Sequence, residues 1–314
     1  MTDGIRPGRR PTLADVAARA GVSTAAVSIV IRGVAGASPA TRERVLAAAE
    51  ELGYRPDARA RLLRSGRSRL LGVVFGVQHA FHGDLVSGLY QAADRIGYEL
   101  ALSATTPARD ERRAVGSLLQ DRCEALLLLG PQLPTADLAE LATRLPVVVV
   151  ARAVRDRTID VVRTADDEGL HQAVDHLVEL GHRRIAHIDG GRAPGAAERR
   201  RGYRQAMQRH GLADPPSAVT VFNDRCATGV LDALRQAGRR VPDDVSVVGY
   251  DDSRLARLSH VDLTTIAQDT EQMTALAVAR AIEAVEQREQ VIPPRLVVRS
   301  TTTAPRPARA TAPG

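Results

Sequence analysis

Seven short apolar runs between residues 70 and 250 constrain this chain more than any other feature: "LLGVVF", "YELALS", "ALLLL", "VVVV", "RIAHID", "AVTVF" and "VSVVGY". Amphipathic stretches with helical spacing lie between the first four, near 83–97, 110–121 and 135–144. Continuous apolar strands separated by helices call for a parallel sheet covered on both faces. Because the runs come in two series, the region predicts two doubly wound α/β subdomains, and ligands of such folds sit outside the carboxyl ends of the strands.

At 314 residues with 44% hydrophobic content, the chain has room for two or three domains and a substantial core. No apolar run approaches the roughly 20 residues of a membrane helix, and the polar start "MTDGIRPGRR" does not read as a signal peptide, so the protein is expected in the cytoplasm. The two cysteines, Cys123 and Cys226, lack metal-ligand spacing and are expected to be ordinary core or near-core residues. Neither a cofactor nor a metal is called for.

The net charge of +6 is unevenly placed. Residues 1 to 70 carry 13 Arg against 6 acidic residues, whereas the other 244 carry 30 Arg against 31. A basic head on a neutral body is the footprint of a protein whose head alone meets a polyanion. No lysine occurs anywhere, so Arg supplies every basic contact, which suits bidentate pairing with phosphate or guanine.

Within that head, Thr12 reads as an N-cap with Asp15 three residues on, and Leu13, Val16, Ala17 and Ala20 fall at helical spacing before Gly21. Ser23 caps a second helix with Val27, Val30 and Ile31 inward. Ser38 and Pro39 start a third, lined by Val45, Leu46, Ala49 and Leu52 until Gly53. A glycine turn between the first two is a helix-turn-helix, which leaves Thr24, Ala25, Ala26, Ser28, Ile29 and Arg32 facing base edges and phosphates. The next stretch, "YRPDARARLLRSGRSR", holds five Arg from Arg55 to Arg67 and the pair Leu62 and Leu63 on a helix too short to be stable alone, which suits a wedge ordered in the minor groove.

"TLADVAARAGVSTAAVS", "SPATRERVLAAAEELGYRPDARARLL", "HLVELGHRRIAHIDG", "VPDDVSVVGYDD" and "LTTI" together resemble the lactose/galactose repressor (LacI/GalR) family, from about Thr12 to Thr303. The resemblance implies a sequence-specific transcription regulator, a repressor that binds a palindromic operator as a homodimer. It also implies a hinge helix, and a core similar to periplasmic sugar-binding proteins that takes a small-molecule effector, a carbohydrate. The implied division is a DNA-binding head over 1–54, a hinge and linker over 55–69, an effector and dimerisation core over 70–304, and a disordered tail over 305–314. The DNA-contacting set expected is Thr12, Ser23, Thr24, Ala25, Ala26, Ser28, Ile29, Arg32, Tyr54, Arg59, Ala60 and Leu63, with Leu63 as the wedge. Ile29 stands where the family often has an Arg used on DNA, so guanine recognition from that position is lost.

Polar residues at strand ends define the expected effector site. His79, Phe81, His82 and Asp84 follow the first run, Arg152 the fourth, and Asn223 and Asp251 later ones; by resemblance Arg199 and Gln268 join them. Amides, carboxylates and Arg converging on one cleft suit a polyhydroxyl ligand, since each hydroxyl both donates and accepts. One departure is large: "HGLADPPSAVTVFND" passes directly from a helix to a strand where the family has a further strand and helix. That strand would be the edge partner of "RIAHID". Its loss predicts an exposed strand and a crossover of the disfavoured hand, and with them a rearranged or weakened C-terminal half.

Two other classes are disfavoured. An enzyme is opposed by the missing P-loop lysine, the lack of G-x-G-x-x-G after the first strand and of a G-x-S-x-G elbow, although "DGGRAPG" could cradle a phosphate. A secreted solute-binding protein would share the body fold, but the basic head and polar N-terminus oppose it. The tail "APRPARATAPG" has no leucine heptads, which predicts a dimer and not a tetramer.

Overall fold

A computed structural model describes residues 11–31, 33–55, 68–212, 217–283 and 289–306. The chain divides into two compact units, Met1–Arg67 and Ser68–Gly314.

The first unit holds α1 (Leu13–Ala20), α2 (Thr24–Ile31) and α3 (Pro39–Glu51). A reciprocal capping box between Thr12 and Asp15 starts α1, and Gly21 ends it at φ +62°, a left-handed conformation that glycine adopts without steric cost. The break turns α2 by 105° relative to α1. Ser23 Oγ accepts from the Ala26 N–H, and Ser38 Oγ from the Thr41 N–H, so both expected caps are formed. Val16, Ala17, Ala20, Val27, Val30, Val45, Ala48 and Ala49 make one small core. Leu46, expected inside, is 50% exposed; Ala48 takes the inward place because α3 presents 45, 48, 49 and 52 as its stripe.

The second unit has two lobes. The N-terminal lobe contains β1 (Leu70–Gly76), α4 (Ala80–Arg95), β2 (Glu99–Thr105), α5 (Glu111–Gln120), β3 (Ala125–Leu129), α6 (Thr135–Ala142), β4 (Val147–Val150) and β5 (Asp160–Thr164). The chain then builds the C-terminal lobe from α7 (Asp166–Glu179), β6 (Ile185–Ile188), α8 (Ala196–Arg209), β7 (Ala218–Val221), α9 (Asp224–Gln236), β8 (Ser246–Asp251) and β9 (Thr265–Ala267). Next, α10 (Thr270–Ile282) and β10 (Glu289–Ile292) return to the first lobe, and β11 (Arg295–Val297) ends in the second. The chain thus passes between lobes three times, after β5, β9 and β10.

The first sheet runs β10-β5-β4-β3-β1-β2, all parallel. Its strands alternate between two buried faces: Leu71, Val73, Leu127 and Val148 meet α4 and α10, whereas Leu70, Val74, Leu126 and Val147 meet α5 and α6. The second sheet runs β11-β9-β8-β7-β6, with only β11 antiparallel. Strands β5, β9, β10 and β11, and the return of α10, were not foreseen from the sequence.

The expected loss of an edge strand is visible in this second sheet, where β6 lies at the edge with β7 as its only strand neighbour among the described residues. Helix α8 shares a core with α7 through Ala206 and Met207, while α9 packs on the other face, where Ala227 meets Val219 and Val247. Both connections step the same way across the sheet, so helices on opposite faces mean opposite hands. About 98% of parallel crossovers are right-handed. One of the two is therefore of the rare hand, as expected where a unit is missing next to β6–α8–β7.

Two features accommodate it. A Cβ on Gly202 would lie 2.3 Å from the Asp167 carbonyl oxygen, so only glycine lets α8 approach α7 this closely. Tyr203 Oη donates to the Ile185 carbonyl at 2.8 Å, and its ring stacks on His187. One outward carbonyl of the exposed edge is thereby covered.

Cys123 is buried in the first lobe as expected, but Cys226 is exposed on α9, pointing away from the stripe that α9 buries. Arg306 pairs with Asp243 and Asp244, so the described chain stays attached two residues past the expected boundary of the core. Residues 307–314 lie outside the described residues. No single helix among the described residues is long and apolar enough to cross a membrane.

Candidate functional site

The head offers the outer face of α2. Val27 and Val30 point into the core; Thr24 and Ala25 are exposed, and Ala26, Ser28 and Ile29 are half-buried. Thr12 and Ser23 are exposed at the N-termini of α1 and α2, where free N–H groups and the helix dipole favour an anion. Tyr54 is half-buried against the head core, which leaves only part of its ring accessible. Arg32, Arg59, Ala60 and Leu63 lie outside the described residues.

In the body, a buried polar network lies at the carboxyl ends of the strands. Arg199 on α8 donates through Nε to Asp166 Oδ1 at 2.9 Å and through Nη1 to the Phe222 carbonyl at 2.6 Å. Its Nη2 is 3.7 Å from Asp251 Oδ1, and its guanidinium carbon is 3.6 Å from the centre of the Tyr250 ring. Gln268 Nε2 donates to Asp251 Oδ1 at 2.8 Å, and Gln268 Oε1 accepts from Thr164 Oγ1 at 2.6 Å. Thr164 and Gln268 stand where the chain passes between lobes, so the network ties two of the three crossings together.

Asp251 holds its place at φ +111°, and Asp252 follows at +50°. Side chains rarely tolerate such backbone, and strain of this kind is kept where surrounding contacts over-determine it. Burial pushes the Asp251 carboxyl up, against the opposing pull of Arg199. Burial raises Asp224 as well, although Thr265 Oγ1 and the Ser253 N–H both donate to it.

Two cavities lie at the strand ends, and the first borders the network. One, about 310 Å³, is lined by Asp84 and Arg95 of α4, by Asp251, Asp252 and Gln268, and by Arg257. The other, about 460 Å³, lies beyond β1, β2 and β3 and is lined by His79, His82, Thr105, Arg109 and Glu111. His82 Nδ1 accepts from the Gly76 N–H at 2.9 Å; burial, then the neighbouring His79, lowers its pKa to about 3, so the ring is neutral. Burial and Arg225 lower His79 too. Across the cleft Arg225 donates to the Gln78 carbonyl at 2.6 Å, and Arg254 pairs with Asp84 at 3.2 Å.

The expected effector residues therefore divide. Arg199, Asp251 and Gln268 are brought together, His79 and His82 line one cavity, and Asp84 lines the other. Three differ from expectation. Phe81 is buried in the core under α4, because the helix begins at Ala80 and turns that ring inward. Arg152 donates to the Pro131 and Leu133 carbonyls and so braces the loop after β3. Asn223 caps α9, its Oδ1 accepting from the Cys226 N–H at 2.9 Å. Sequence reasoning missed Asp166, Thr164 and Tyr250. The first two depend on β5, whose "DVVRT" has too few apolar residues to announce a strand.

Comparison with known proteins follows these two parts. Residues 12–57 match the family described as "Bacterial regulatory proteins, lacI family". Residues 68–216 match "Periplasmic binding proteins and sugar binding domain of LacI family", and 212–302 match "Periplasmic binding protein-like domain". The ribose operon repressor of Escherichia coli (strain K12) is 34% identical, over 88% of this chain and 93% of that protein. This chain belongs to the LacI family.

The LacI-family chain is thus a DNA-binding transcriptional regulator, as its motifs implied. A solved LacI transcriptional regulator from Rhodococcus species is 48% identical over 76% of this chain and all of that one, with a TM-score of 0.73. The Lac repressor bound to ONPG in its repressed state superposes with a TM-score of 0.81 over 94% of this chain and all of that one, at 29% identity. The match to the regulator DegA of Bacillus subtilis (strain 168), 29% identical over 94% of this chain and 98% of that protein, runs over 332 positions. That exceeds the 314 residues this regulator possesses, so it lacks segments its relative has.

Proposed function

We propose that this regulator is a repressor that binds a palindromic operator as a homodimer and is released or engaged by a small polyhydroxyl effector, a carbohydrate. The observation that carries the reading is the pairing, in one chain, of a capped helix-turn-helix head with a body whose strand ends gather Asp166, Arg199, Asp251, Gln268 and Thr164 across two lobe crossings. Such a network couples ligand to lobe position. A hydroxyl-rich molecule that takes over the bonds of Asp251 or Gln268 loosens the crossings, and a dimer's two heads respond together.

The proposed division is a DNA-reading head over 1–54, a hinge over 55–69 and an effector and dimerisation core over 70–304. Arg59, Ala60 and Leu63 of the hinge are assigned to the minor groove on sequence grounds. The cytoplasm is the proposed location, where DNA is within reach. No catalytic role belongs to this reading, because the buried Arg and carboxylates are engaged with each other and not aimed at an open reacting centre. The relatives support the effector class: one solved neighbour, the regulator CelR, is a complex with cellobiose.

The test is selection of sites by the full-length protein from a pool of duplexes with randomised cores. The expected product is a palindrome of two half-sites. Enrichment of single half-sites would remove the homodimer from the reading, and no enrichment would remove the operator.

A further inference from the structure

Helix α2 presents an unusual face to DNA. From Thr24 to Ile31 it reads "TAAVSIVI", with no Arg, Lys, Asn, Gln, Asp or Glu. Those are the side chains that pair with base edges in the major groove: Arg or Lys with guanine, Asn or Gln with adenine, Asp or Glu with cytosine. With Val27 and Val30 buried, the outer surface consists of the exposed Thr24 and Ala25 and the half-buried Ala26, Ser28 and Ile29. Most of that surface is methyl and methylene. The major groove offers one apolar group, the C5-methyl of thymine.

We propose that α2 reads its half-site through thymine methyl groups, with Ala25 and Ile29 as the side chains that determine specificity. The inference rests on the DNA-reading function proposed above for the head. Ala25 is a small exposed side chain, which lets the helix approach a methyl closely. Ile29 is branched and stiff at χ1, and its backbone is fixed by the hydrogen bond that its carbonyl accepts from the Val34 N–H. A fixed apolar wall loses little entropy on contact, and removing a matching methyl from DNA removes burial on both sides of the interface.

The closing experiment needs no altered protein at first. Duplexes selected by the full-length regulator are resynthesised with deoxyuridine in place of thymidine, one position at a time, which deletes only the C5-methyl. We expect A·T pairs in each half-site and a loss of about fourfold in affinity for each contacted methyl removed, with no change at thymines outside the half-sites. Ile29→Ala should abolish the uracil sensitivity at one thymine and leave the others unchanged, which assigns that contact by a double-mutant cycle. If enriched duplexes bind equally well with thymine or uracil throughout, methyl reading is overturned and operator binding still stands. If no duplex is enriched, the DNA-reading function falls and takes this inference with it.

Discussion

In the N-terminal lobe β1 has a strand on each side, β2 and β3, and the helices leading to them, α4 and α5, lie on opposite faces of the sheet. In the C-terminal lobe β6 holds the corresponding first position but, among the described residues, has only β7 beside it, and α8 reaches β7 from the face it shares with α7. Among the described residues each lobe also buries an arginine on a carboxylate. Arg280 meets Asp160 at 2.8 Å in the first lobe, where it fastens α10 to β5. Arg199 meets Asp166 at 2.9 Å in the second, where it stands among the proposed effector residues. The comparison teaches that a doubly wound lobe can lose a strand and helix if a close helix–helix contact and a covered edge replace what they supplied. The altered lobe is also the one in which structural polar groups coincide with the proposed effector residues.

The largest effects should come from breaking the buried pairs. Arg199→Leu and Arg280→Leu each strand a carboxylate in the interior, and a loss of roughly 3–5 kcal/mol is expected for either. Urea denaturation of the body measures both, and effector response should suffer only where Arg199 is changed and the protein remains folded. Acid comes next. The folded pKa of His82 is about 3 against 6.5 unfolded, so between those values the unfolded chain binds the extra proton. Stability should therefore fall as pH falls below 6.5 and continue to fall toward pH 3, by about 1.4 kcal/mol for each pH unit in that window. In the second lobe burial lowers His182 as well, whose ring holds Ser217, Ser246 and the Thr303 carbonyl. His82→Gln should flatten the profile of the first lobe and leave the contribution of the second; a profile unmoved by that change would show that His82 does not set it.

Glycine substitutions sharpen the contrast on a smaller scale. Gly202→Ala drives a methyl into the Asp167 backbone and should destabilise by about 1–3 kcal/mol. Gly229→Ala on α9 meets nothing within 4 Å and should stabilise by up to about 1 kcal/mol. Equal thermal shifts for the two would break the argument that close approach of α8 to α7 replaces the missing unit. Tyr203→Phe removes the hydroxyl that covers Ile185. We expect a loss of about 1 kcal/mol, with increased self-association in sedimentation velocity as the edge of β6 opens.

Periodicity and short-range chemistry made much of this legible. Apolar runs announced β1 to β4 and β6 to β8; in β1, β3, β4, β7 and β8 they are continuous because strands buried on both faces need no alternation, and the caps at Thr12, Ser23 and Ser38 were readable because they depend on residues three apart. Motif order identified the family, and the direct passage from α8 to β7 exposed the missing unit. These are local properties, and local side-chain chemistry specifies them. The tertiary structure alone decided which lobe α10 joins, since an amphipathic helix states that it needs a partner and not which one. It likewise turned Phe81 into core and set Arg152 to brace a loop. It gathered Thr164, at the end of a barely apolar strand, and Asp166, at the start of the helix after it, beside Gln268 and Arg199. Those meetings join residues some 30 to 100 positions apart, and long-range contacts depend on how the whole sheet closes, which no short window of sequence contains.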